Sequence, residues 1–248
     1  MKTIIEVCAG SYEDCLSAAL GGAERVELNS ALSVGGLTPT VAVLRRVKQD
    51  TDLQVICMVR PRAAGFCYTE AEKALMFEEA ELLLDSGADG LAFGFLNADG
   101  SIDKESTGRM VDLIHARKKE AVFHRAFDVC RVAGGAMEIL ISLGMDRVLT
   151  SGQQAKAVEG RELLRQLRKD YGSRIQILAG SGVNETNAKE LMEYTGISQV
   201  HSSCKDYRED PTTALGNVSY AYLSAPHERC YDVVSAEKVR QLVEACGS

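Results

Sequence analysis

Four times along this chain a helix-length segment ends in a glycine, takes a short polar step and enters an apolar strand. The junctions are Gly22-Ala-Glu-Arg-Val26, Gly87-Ala-Asp-Gly-Leu91, Gly144-Met-Asp-Arg-Val148 and Gly196-Ile-Ser-Gln-Val200. A glycine past a helix end adopts the left-handed backbone at no steric cost, and the strand then starts at once. Strands are expected over 3–8, 25–29, 53–59, 90–93, from 121, and over 147–151, 175–179 and 199–201. Helices lie between them, over 40–50, 70–86, 103–119, 134–143, 155–170 and 184–194, preceded by one from Ser11 to Gly21-Gly22. Ser11 to Asp14 and Thr69 to Glu72 have capping-box spacing. Val239, Leu242, Val243 and Cys246 make a last amphipathic helix. This alternation predicts an α/β fold, a single-domain (β/α)8 TIM barrel over 1–248, and the length of 248 residues suits it. A doubly wound open sheet is the alternative. The stretch 202–234, with Pro211, Pro226 and four tyrosines, is expected as a long loop that carries function or packs on a neighbouring subunit.

Composition narrows the partners. A formal charge of −7 argues against nucleic acid and anionic membranes. No apolar run is long enough to cross a bilayer, and residues 1–8 enter a strand rather than a signal peptide, so a cytoplasmic protein is expected. The eight cysteines include no Cys-x-x-Cys pair, which suits free thiols in a reducing compartment. No His-x3-His spacing marks a closed zinc site. A copper or catalytic site assembled from several strand ends would leave no such local signature.

Working residues of a barrel of this kind sit at the carboxyl ends of its strands. The fifth strand runs Ala121-Val-Phe-His-Arg-Ala-Phe-Asp128, delivering His124, Arg125 and Asp128 where it leaves the core. Other strand ends supply Glu6 and Cys8, Glu27 and Asn29, Arg60 and Arg62, Ser151, Ser181 and His201. Glu6, Glu27, His124, Asp128 and His201 are candidate acids, bases or ligands of a divalent metal. Arg60, Arg62 and Arg125 are candidates for holding a small anionic ligand, with Ser151, Gly180, Ser181, Gly182 and Ser202 beside them; backbone amides near Gly180 and Gly182 suit phosphate. Arg60 and Arg62, two apart in an extended chain, are expected to lean to the same side. The competing reading is a structural ion-pair network in which, for instance, Arg60 and Glu27 neutralise each other. No lysine lies in the eight strands, and Lys205 is the nearest to the site.

Seven stretches in order resemble the CutC family: Glu6-Val-Cys8, Arg25-Val-Glu-Leu28, Gly35-Gly-Leu-Thr-Pro39, Arg60-Pro-Arg62, Phe123-His-Arg-Ala-Phe-Asp128, Leu149-Thr-Ser-Gly152 and His201-Ser-Ser203. The resemblance covers about residues 3–203. It implies a TIM barrel, a cytoplasmic location, a homo-oligomer and a link to copper homeostasis. Copper in this family is argued from two cysteines near the ends of the first two strands. Cys8 matches the first and is the metal candidate; the second position holds Asn29, a poor substitute for a thiolate toward copper(I). Ala63-Ala64-Gly65 also departs from the family, which often has Gly-Gly followed by Asp or Asn. Two functions follow: a copper-binding or copper-trafficking protein, or an enzyme of lyase, isomerase or hydrolase type acting on a small anionic metabolite without copper.

Overall fold

The junction glycines take the backbone their positions require, with φ of 93° at Gly22, 103° at Gly87, 80° at Gly144 and 72° at Gly196. In the computed structural model, which describes residues 3–247, each precedes a strand of one sheet. The strands are β1 (Ile4–Ala9), β2 (Arg25–Leu28), β3 (Gln54–Met58), β4 (Gly90–Phe93), β5 (Glu120–Phe123), β6 (Arg147–Thr150), β7 (Gln176–Gly180) and β8 (Gln199–Ser202). They run parallel in chain order and close into a barrel, β8 pairing with β1. The helices are α1 (Tyr12–Leu20), α2 (Val41–Asp50), α3 (Glu70–Asp85), α4 (Lys104–His115), α5 (Ala133–Ser142), α6 (Arg161–Tyr171), α7 (Ala188–Thr195) and α8 (Ala236–Ala245).

Strand alternation divides the side chains between two environments. Ile5, Val7, Val26 and Leu28 point outward into the large apolar layer between sheet and helices. Their neighbours Glu6, Arg25 and Glu27 are buried on the inward side. Inside the barrel the apolar contribution is small, a separate cluster of Ile56, Ala92 and Val122. Gly90 leaves room for it, since a Cβ there would lie 2.8 Å from Ile56 Cδ1.

Below this cluster the barrel is polar. Glu6 accepts from Arg25 Nε at 2.6 Å and Arg147 Nη1 at 3.4 Å. Arg25 also donates to Gln199 at 2.8 Å, Gln199 to Gln176 at 2.6 Å, and Arg147 to Glu120. Arg25 and Arg147 are 2% and 0% exposed, so their charges depend on these partners. Sequence reading placed both on strands without recognising them as buried charges.

Three helix boundaries differ from expectation, each for a local reason. α4 stops at His115 rather than 119 because Lys118 turns left-handed, with φ of 57°. α6 begins at Arg161 rather than 155: the preceding segment packs so closely on the loop after β6 that a Cβ on Gly160 would lie 1.9 Å from Ser151 O. α7 begins at Ala188 rather than 184, because Asn184 and Asn187 close a turn in which Asn187 Oδ1 accepts from Asn184 N at 2.9 Å. Thr69 and Glu72 form the capping box expected of them. Ser11 caps α1, but the carboxylate of Asp14 reaches Gly10 N and, across the fold, Val234 N at 2.8 Å.

The stretch expected as an irregular loop is largely strand. Ser202 belongs to β8; β9 (Lys205–Glu209) then pairs antiparallel with β12 (Cys230–Val234), and β10 (Ala214–Leu215) forms a short hairpin with β11 (Val218–Ser219) between them.

The buried pair network predicts the cost of breaking it. Glu6→Gln should destabilise the protein by about 3–5 kcal/mol, as expected when one partner of a buried ion pair is removed. Urea unfolding of the variant against wild type measures this; a loss below 1 kcal/mol would mean that Arg25 and Arg147 do not depend on Glu6.

Candidate functional site

Closure of the sheet puts β1 between β8 and β2. Cys8 is level with Glu27, and Glu6 is level with both Arg25 and His201. The result is a tight group at the mouth: one ligand atom each from Cys8, Glu27 and His201 lie within 4.8 Å of one another. His201 Nδ1 lies 2.8 Å from Glu6 Oε1, which fixes the ring and leaves Nε2 for the mouth. Asn29 closes the side of the group, its Nδ2 donating to Glu27 Oε2 at 3.1 Å and lying 3.7 Å from Cys8 Sγ.

These groups shift one another's protonation. Burial pushes the Glu6 carboxyl up, but Arg25, His201 and Arg147 outweigh it and hold it at about 2. Burial likewise opposes charge on His201, yet hydrogen bonds with Cys8 and Glu6 and the charge of Glu27 keep it well above the ordinary histidine range. Burial raises the Cys8 thiol and the Glu27 carboxyl.

The mouth opens into a cavity of about 270 Å³. Cys8, Glu27 and His201 line one side; Arg60, Phe66, His124 and Arg125 line another; Ser181, Gly182, Ser203, Lys205 and Asp232 form the rim. His124 caps the short helical turn after β5, its Nδ1 accepting from Ala126 N at 3.1 Å. Nδ1 therefore carries a lone pair, and the proton of the neutral ring sits on Nε2, which is buried with no protein partner. Burial, with Arg60 nearby, lowers this imidazole to about 3.

Not every residue expected at the mouth reaches the cavity. Arg60 does, tucked under the Gly35-Gly36 loop, with Nη1 donating to the carbonyls of Val34 and Gly36 and Nη2 to that of Ala64. It hydrogen-bonds none of the carboxylates, Glu27 included, among the described residues. Arg62 lies outside, bound to Glu72 at 2.5 Å and to the Cys67 carbonyl. The two arginines part because β3 ends at Met58, so the extended spacing that would align them no longer applies.

Asp128 is saturated by its own neighbourhood, accepting from Arg125 Nε, Thr150 Oγ1, Ser151 N and Gln153 N. Ser151 is held by Asp128 and donates to the Gln154 carbonyl, behind the cavity wall. Ser202 is buried and donates to the Val183 carbonyl. Gly180 packs against Leu149 and His201, while Ser181 and Gly182 line the cavity. Glu6 stands below the cavity as the positioning partner of His201.

Sequence reading missed several wall residues. Met58 and Leu149 were available to it, since they share the inward face of their strands with Ile56 and Arg147. Phe66 and Asp232 were not, because they come from connections whose path no periodicity describes. Asp232 meets Lys205 Nζ at 3.2 Å across the β9–β12 pair.

Acid should weaken this protein partly through His124. Its folded value, about 3, is below the ordinary 6.5, so the unfolded chain binds the proton more readily between those values. The stability contributed by the neutral ring is complete above about pH 6.5 and is lost as pH falls toward 3. His124→Phe should flatten the fall of Tm over that window; an unchanged slope would show that the ring titrates normally.

The comparisons with known proteins bear on the family and the fold. The sequence profile of the CutC family matches residues 3–206. A CutC family protein of Treponema denticola is 44% identical over 99% of this chain and 100% of its own length. The human copper homeostasis protein cutC homolog is 39% identical over 83% of this chain and 75% of its own. A crystal structure of a CutC protein from Streptococcus agalactiae superimposes with a TM-score of 0.76 at 28% identity, covering 81% of this chain and 98% of that one. Two aldolases at 11–12% identity share the barrel alone. With the profile spanning all eight strands of the barrel, the chain belongs to the CutC family.

Proposed function

We propose that the protein serves copper homeostasis in the cytoplasm, holding a copper ion as cargo on Cys8 and His201, with Glu27 beside them. The observation that carries this reading is the convergence of a sulfur, an imidazole nitrogen and a carboxylate oxygen within 4.8 Å at the barrel mouth. Copper(I) favours thiolate, and imidazole also suits copper. The Glu6–His201 contact supports the reading further, because ligating histidines commonly give their other ring N–H to a carboxylate that sets tautomer and orientation. The relatives' link to copper homeostasis supplies the metal's name. The cytoplasmic placement rests on eight free cysteines, which suit a reducing compartment, together with the absence of any helix long and apolar enough to cross a membrane among the described residues.

Asn29 limits the affinity. It occupies the position of the family's second cysteine and offers the metal an amide where a thiolate would bind copper(I) more strongly. Binding also costs protons: Cys8 and His201, both raised in the metal-free protein, must each release one.

Two outcomes test this. Purified protein titrated with copper(I) should take up one ion per chain weakly enough for glutathione to remove it, and Cys8→Ser should abolish uptake. The apparent affinity should rise with pH, because the ligands lose their protons. Uptake unchanged in Cys8→Ser would refute the assignment, and Asn29→Cys should make the complex resistant to glutathione.

A further inference from the structure

Opposite the metal candidates, the cavity wall carries a positive charge that the fold leaves unmatched. Arg60 is 5% exposed, and its hydrogen bonds run to the carbonyl oxygens of Val34, Gly36 and Ala64. Its Nε is buried without a partner. The Tyr68 hydroxyl lies within reach of Arg60 as a hydrogen-bond partner, but burial keeps it neutral, so it supplies no counter-ion. The other cations on the wall are matched. Arg125 meets Asp128 at 2.7 Å, Lys205 meets Asp232 at 3.2 Å, and His201 has Glu6 at 2.8 Å and the charge of Glu27 beside it. A guanidinium removed from water needs an anion, or its burial opposes folding.

The second observation lies beside the first. His124 is 3% exposed, and its Nε2–H has no acceptor in the protein. The Phe66 ring joins the two groups, 5.2 Å from the Arg60 guanidinium carbon and 4.8 Å from the His124 ring. One wall of the cavity therefore presents an unmatched cation, an unused N–H donor and an aromatic face. A buried N–H without an acceptor is rare in native structures, and one set beside an unmatched charge on a cavity wall is best explained by a ligand that supplies what both lack.

We propose that the barrel-mouth cavity binds a small organic monocarboxylate, one oxygen accepting from His124 Nε2–H and the charge set against Arg60. A single surplus positive charge calls for a monoanion; a phosphate ester would bring further negative charge toward Glu27 and Asp232, which line the same cavity. The planar carboxylate suits a guanidinium. Leu32, Met58, Phe66 and Leu149 supply apolar wall for a short carbon skeleton, and about 270 Å³ admits only a small one. This binding needs no metal and stands apart from the copper reading.

The test uses metal-free protein in the presence of a chelator. Acetate, propionate, lactate and pyruvate are titrated while Tm and heats of binding are followed, with chloride and phosphate at matched ionic strength as comparators. At least one carboxylate should raise Tm saturably beyond both comparators. His124→Phe should weaken it about tenfold, the cost of one hydrogen bond to a charged group. Arg60→Met should abolish it, and Arg62→Met, outside the cavity, should leave it intact. If Arg60→Met does not fold, His124→Phe decides. The proposal is overturned if no carboxylate exceeds chloride, if phosphate exceeds every carboxylate, or if His124→Phe binds like wild type.

Discussion

Glu6 is one carboxylate with three cationic neighbours, buried where the barrel closes. On its lower side it neutralises Arg25 and shares Arg147 with Glu120 in the barrel's interior. On its upper side it holds His201 in place at the mouth. Stability and site geometry are thereby coupled through one residue, and neither can be altered independently of it. The interior tolerates this polarity because the hydrogen-bonded chain through Gln199 and Gln176 satisfies the groups around it. The apolar core that drives folding lies elsewhere, between sheet and helices.

The mouth is divided by chemistry. The β8–β1–β2 side gathers a thiol, an imidazole and a carboxyl, a donor set for a metal. The β3–β5 side gathers a guanidinium, a neutral imidazole and an aromatic ring, a set for an organic anion. The two histidines illustrate how position sets role. His201, facing acids, is held in its charged form, whereas His124, facing an arginine in an apolar pocket, is held neutral. Asn29 stands on the metal side with its amide nitrogen toward Cys8.

The excursion between β8 and α8 completes the rim. β9 and β12 bring Lys205 and Asp232 to the cavity from positions far apart in the chain. Asp14 ties its base to the start of α1. What looked irregular in sequence is ordered by backbone pairing, which proline and exposed polar residues conceal from any reading of hydrophobic alternation.

The barrel itself was written locally. Recurrent glycine junctions, apolar strands and capping residues act within a few positions, so their sum specified eight βα units without knowledge of contacts. The motifs also marked which strand ends carry chemistry, and named His124, Arg60, Glu27, Cys8 and His201 among them. Their partnerships belonged to the tertiary structure. Closure alone brings residue 201 beside residue 6, and a strand that ends one step earlier than expected sends Arg62 outward while Arg60 turns in. Whether a charge is matched depends on distances between segments remote in sequence. The surplus on Arg60 and the saturation of Asp128 were therefore decided only when the chain closed on itself.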